Sequence, residues 1–141
     1  MSAEVPLLLP PEIGVVPTAY GQSYTVGTIA IDPYMLLFLA TPLAVPMADA
    51  GVRAAALEAE RPAIDAFDPE GGAVSIGPAV SIRPGGHPGL VRSWRYTNGL
   101  LYHRFVVVTP THDVLLEMLA WDAYANTVAI GERVAGSVTP L

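Results

Sequence analysis

The chain has 141 residues and a net charge of −6, with 52% hydrophobic and only 14% charged residues. That length suffices for one domain with a core that needs neither metal nor disulfide, and the acidic balance excludes non-specific binding to phosphate backbones. Cysteine is absent, which removes a disulfide framework, a thiol nucleophile and any Cys-based metal site.

A mean hydropathy of +0.44 leaves part of the surface apolar and available to a partner. All seven cations are arginine. Either GC-rich coding or arginine-specific recognition accounts for that bias. The opening MSAEVPLLLPPEI places Glu4 where a secretory signal wants basic residues, and prolines break its apolar run. The uncharged stretch Pro33–Ala48 contains Pro42 and Pro46 and is shorter than the roughly 20 residues of a membrane span. The expectation is a cytoplasmic protein without a membrane span.

Residues 1–23, rich in Pro, Gly and Tyr, read as an irregular arm with room for a short strand. Residues 24–141 read as a single α+β domain. Two β-like runs follow the arm, divided by the turn signal Asp32-Pro33; the second, Met35–Ala40, is apolar on both faces and suits a central strand. Asp49 offers an N-cap to an amphipathic helix over about 50–67, with Ala50, Ala54, Leu57 and Ile64 on one face. Pro62 is expected to kink or split that helix. Residues 73–83 alternate, and Gly77-Pro78 marks an edge position or a bulge.

Gly89–Val108 holds two alternating runs around Asn98-Gly99, a strong hairpin signal. A two-residue turn pairs Arg95 with Tyr102 and Ser93 with Arg104. One face then carries Ser93, Arg95, Thr97, Tyr102 and Arg104 toward solvent. The other carries Arg92, Trp94, Tyr96, Leu101, His103, Phe105 and Val107 toward the core. Residues 113–121 favour helix by composition, but their length and the preceding Pro110-Thr111-His112 loop read as a third antiparallel strand. After an Asp122 cap, Tyr124, Val128, Gly131, Ala135 and Val138 form the stripe of a final helix, with Gly131 allowing close approach to the sheet.

Sites of chemistry are sparse. His87, His103 and His112 lack metal-ligand spacing, and His103 reads as a packed core residue. Gly85-Gly86-His87-Pro88-Gly89 precedes a strand rather than a helix, unlike a phosphate cradle. Asp65 and Asp68 read as a solvated helix end; Asp113 and Glu117, on one strand, stand too far apart to share a proton. No nucleophile motif is present. No catalytic residue, cofactor or metal is assigned. The richest cluster is Arg92, Arg95 and Arg104 with Trp94, Tyr96 and Tyr102. Two readings stand: cross-strand stacking that stabilises the hairpin, or a partner-binding face built on Arg95, Tyr102, Arg104, Arg92 and Trp94.

The order of elements, carried by AVSIGPAVSIRPGGHPGLVRSWRYTNGLLYHRFVVV and VLLEMLAWDAYANTVAIGERVAGSV, resembles the PsbP-like superfamily, which includes PsbP, the Ran-binding Mog protein, DcrB, LpqN and the Eag-type chaperones. The closing Ser137-Val138 matches the superfamily's terminal helix. The proline-rich arm in place of an opening strand, and the missing lipobox cysteine, depart from the pattern. The resemblance implies an α/β/α sandwich around an antiparallel sheet and a non-enzymatic, partner-binding role. The resulting expectation is an adaptor or chaperone-like module with a protein partner or a second copy as a homodimer. Its alternatives are a small-ligand or enzyme pocket using Arg92 and His103, and a structural subunit of a larger assembly.

Overall fold

Antiparallel pairing organises the whole molecule. The computed structural model describes residues 13–18, 21–26, 34–121 and 127–136. Six longer strands, β1 (Ile13–Thr18), β2 (Gly21–Val26), β3 (Tyr34–Pro42), β6 (Gly89–Arg95), β7 (Leu100–Val108) and β8 (His112–Trp121), lie in the order β1-β2-β3-β8-β7-β6. Two short strands, β4 (Val74–Ser75) and β5 (Val80–Ile82), share the outer edge of β6. Helices α1 (Ala50–Ala66) and α2 (Thr127–Gly136) complete an α+β fold.

The segment read as an irregular arm contains β1 and the start of β2, both paired into the sheet. β3 is central: it pairs with β2 on one side and β8 on the other. β8 confirms the strand reading of 113–121, because β3 and β7 both offer it hydrogen-bonding edges and its apolar residues fill two faces. Gly77-Pro78 separates β4 from β5, so the β6 edge is covered only in short pieces. That interruption limits edge-to-edge pairing, although Val74, Ile76 and Val80 on this edge are exposed.

Strand alternation sorts the core. Leu36 and Phe38 of β3, Phe105 and Val107 of β7, and Val114, Leu116 and Met118 of β8 share one face and pack with Val134 and Ala135 of α2. The opposite face carries a smaller cluster, Leu90, Val108 and Ala79 with Leu57 of α1. One helix therefore lies on each side of the sheet. At Gly131 the two layers nearly touch: an added Cβ would lie 2.3 Å from Phe105 Cζ. The glycine expected to permit close approach does so.

α1 begins where expected, with the Asp49 carboxylate accepting from Gly51 N at 2.9 Å and Val52 N at 3.2 Å. It is neither split nor interrupted at Pro62. Proline deprives the Glu58 carbonyl of its helical donor there, but Glu58 and Pro62 both lie on the exposed side, where the carbonyl is open to solvent. The expected Asp122 cap and the stripe positions Tyr124 and Val138 lie outside the described residues. Among the described residues, no helix is long and apolar enough to cross a membrane.

Candidate functional site

The hairpin does not take the two-residue turn. Tyr96 N donates to Leu100 O at 2.8 Å and Gly99 N to Tyr96 O at 3.1 Å, so Thr97, Asn98 and Gly99 form a three-residue loop. Gly99 holds φ at 85°, the left-handed position that ends such a loop. Trp94 now faces Tyr102, Ser93 faces His103, and Arg92 faces Arg104. This slip by one residue moves all of β7 to the other face relative to β6. The expected division of the hairpin is thereby corrected. Arg92, Trp94, Tyr102 and Arg104 share the α1 side, whereas Ser93, Arg95, His103 and Phe105 belong to the other.

The physical gain from this register is aromatic. Trp94 is 1% exposed and sits 5.3 Å from Tyr102 and 5.7 Å from Phe67, centroid to centroid. The expected register would have placed Trp94 and Tyr102 on opposite sides of the sheet. Burial, with the Glu117 carboxylate nearby, pushes the Tyr102 phenol well above its ordinary pKa, so it stays neutral. Trp94 and Tyr102, both buried, form the floor beneath α1 rather than an outward surface.

Arg92 closes the C-terminus of α1. Its Nη1 donates to the carbonyls of Ile64, Asp65 and Phe67, its Nε to Gly77 O and its Nη2 to Ser75 Oγ. The guanidinium also lies 4.6 Å from the Trp94 ring centroid. A helix end leaves carbonyls without partners and carries partial negative charge, and a planar five-donor cation meets both needs.

Two other arginines fasten the same helix, and the sequence reading passed over both. Arg53 is buried and donates to Thr109 O at 2.9 Å and His112 O at 3.1 Å, while pairing with Asp113. Arg61 donates to Ala79 O at 2.6 Å and Ser81 Oγ at 2.7 Å and pairs with Glu58. The signal for Arg53 was its place four residues before Leu57, on the stripe that faces the sheet.

Arg104 differs from these three. Its guanidinium stacks 3.8 Å from the Phe67 ring centroid, yet its buried Nε has no hydrogen-bond partner. Glu117 stands directly opposite in register but makes no ion pair with it among the described residues. Arg104 lines an open cleft of about 420 Å³ between the C-terminal half of α1 and the sheet, with Ala63, Ile64, Phe67, Val106 and Leu115 as apolar walls and Glu60 at the rim. Arg95 is exposed and borders a separate shallow groove with Val74, Ile76 and Tyr96.

His103 is 2% exposed, with Nδ1 2.7 Å from Ser93 Oγ and Nε2 2.8 Å from Thr127 Oγ1. Burial lowers its pKa from 6.5 to about 4, so the ring is neutral near pH 7. It ties β6 and β7 to the first turn of α2. A pocket shared by Arg92 and His103 is not formed, because the register sends the two side chains through opposite faces.

The remaining candidates have structural explanations. Asp65 accepts from Ala79 N at 2.8 Å. Gly85, at φ 58°, touches Gly136, and an added Cβ would sit 2.5 Å from Gly136 O; the glycine loop thus docks on the end of α2. His112 lies at the β7–β8 turn, its Nδ1 2.9 Å from Thr111 Oγ1, and among the described residues no three His, Asp or Glu side chains gather in a way that could hold a metal. In comparison with known proteins, the chain matches no protein-family model and no curated protein.

Proposed function

We propose that this protein is a non-enzymatic binding module that receives an apolar segment of a protein partner on the α1 side of its sheet. One observation carries the reading: the two faces are covered unequally. The α2 side is closed, with Leu36, Phe38, Leu116 and Met118 at 2% exposure or less. On the α1 side the helix lies over β6 and β7, and the same face continues across β8 and β3 with Leu37, Leu39, Leu115 and Leu119 only half-buried. Among the described residues no helix lies over this leucine-rich stretch, which has the single carboxylate of Glu117 at its centre, and such a surface is what a partner can bury. The resemblance to PsbP-like proteins supports a partner-binding role of the same kind, and a cytoplasmic setting fits it.

In this reading the Arg and aromatic cluster has two parts. Trp94, Tyr102 and Arg92 support α1, and Arg104, beside Leu115, borders the face that the partner meets. Site-specific photo-crosslinking in the native host tests the proposal. A photoreactive residue at Leu39 or Leu119 is expected to give a discrete adduct, either with another protein or with a second copy of this chain. The same residue at Glu132 on α2 is expected to give none. No adduct at either face position, or equal adducts at Glu132, would refute it.

A further inference from the structure

We propose that the cleft between α1 and the sheet binds a small amphipathic carboxylate, with its carboxylate on Arg104 and its hydrocarbon body against Ala63, Ile64, Val106 and Leu115. The site adjoins the sheet face across β3 and β8, sharing Leu115 with it, but does not depend on a protein partner there.

Four observations converge on it. First, the Arg104 guanidinium makes no hydrogen bond among the described residues, its Nε being buried, and the residue lines the cleft, from which a ligand can offer its other nitrogens an acceptor. Second, Arg92 stands directly across from Arg104. Like charges in that relation repel, and the α1 carbonyls satisfy only Arg92. Glu117, opposite Arg104 on β8, offsets part of that repulsion without an ion pair, and an anion in the cleft would bind the guanidinium directly. Third, the Phe67 ring lies 3.8 Å from the guanidinium carbon and covers one side of a group that can take a carboxylate in bidentate fashion. Fourth, the remaining walls are apolar, and about 420 Å³ lies within the range of small-molecule sites.

The electrostatics also select among anions. The nearby end of α1 is its C-terminus, which disfavours negative charge, and Glu60 stands at the rim. With Glu117 also opposite Arg104, the guanidinium can balance at most one further negative charge, so a monocarboxylate fits better than a doubly charged phosphate.

Calorimetric titration of the intact chain with butanoate, hexanoate and octanoate, and with 1-octanol as the uncharged control, tests this. Affinity is expected to rise with chain length by up to about fourfold per methylene. Octanoate is expected to bind at least about tenfold more tightly than 1-octanol, and Arg104→Gln should remove that preference. Ala63→Trp, which fills the cleft from an exposed helical position and leaves Arg104 in place, should abolish octanoate binding while the far-UV circular dichroism stays native. It keeps the test decisive if the Arg104 variant does not fold. Equal binding of octanoate and 1-octanol, unchanged octanoate affinity in either variant, or no binding at millimolar octanoate would overturn the proposal.

Discussion

Replacing Arg92 by Met separates an arginine that builds the fold from one that is available for binding. Methionine keeps most of the aliphatic stem, so the loss is confined to the guanidinium. Three carbonyls at the end of α1 lose their donor, together with Gly77 O and Ser75 Oγ. The site is half-buried, so water reaches part of it, and each helix carbonyl is counted at the low end of the cost of an unsatisfied group, about 1 kcal/mol. The contact with Trp94 adds about 0.5 to 1 kcal/mol. The expected loss is therefore about 3.5 to 4 kcal/mol, or roughly 10 °C in Tm for a chain of this size. Urea unfolding followed by Trp fluorescence measures it directly, since Trp94 lies against the same guanidinium. Arg92→Lys should fall between the two, because one ammonium cannot span carbonyls on both α1 and the β4–β5 link. Arg104→Met, which breaks no hydrogen bond, should cost less than about 1 kcal/mol, the value of its contact with Phe67. Equal destabilisation by Arg92→Met and Arg104→Met would refute the division of roles.

Two further outcomes follow from the α2 side. Gly131→Ala gains about 1 kcal/mol in helix propensity, but its Cβ would lie 2.3 Å from Phe105 Cζ and 2.5 Å from Cε2, inside a fully buried ring environment. Overpacking of about 1 to 3 kcal/mol or more should dominate, giving a lower urea midpoint; a higher midpoint would show that α2 shifts freely. His103 has a folded pKa of about 4 against 6.5 for the free side chain. The unfolded chain binds the extra proton between those values, so stability falls as pH drops from about 6.5 to 4, by up to about 3 kcal/mol. His103→Gln, which can still meet Ser93 and Thr127, should flatten that part of the stability profile relative to the parent, and a C–H shift titration of His103 near pH 6.5 would contradict the assignment.

Local signals in the sequence were legible where one physical requirement dominated. Asp49 as a cap, Gly131 as a contact point and Gly77-Pro78 as an edge interruption each follow from a constraint that only those residues meet. The hairpin register was not legible, for a specific reason. Alternation identifies a register when one face is apolar and the other polar, but here both faces of β7 are covered by helices. Tyr102 and Leu101 are equally buried, on opposite sides. The choice was made by Trp94, which packs with Tyr102 and with Phe67 at the C-cap of α1, a contact that the linear pattern does not encode. The cleft at Arg104 was hidden for the same reason, since its apolar walls come from α1, from its C-cap residue Phe67 and from two neighbouring strands.

The absence of lysine acquires a structural meaning from α1. Only Arg53 and Leu57 of this 17-residue helix are buried, so apolar burial anchors it weakly; one buried leucine contributes about 2 to 3 kcal/mol. The remaining hold comes from guanidinium groups: Arg53 to the β7–β8 turn, Arg61 to β5 and its preceding loop, and Arg92 from β6 to the helix end. Each spans three or more acceptors, which a single ammonium cannot do in the same geometry. α1 is thus pinned at both ends and along one edge, while its flank toward β8 stays unfilled. A helix held by apolar packing would have closed over Arg104 and Leu115. A helix held by arginine pins can stand beside them, and that arrangement leaves this side of the sheet open to a ligand or a partner.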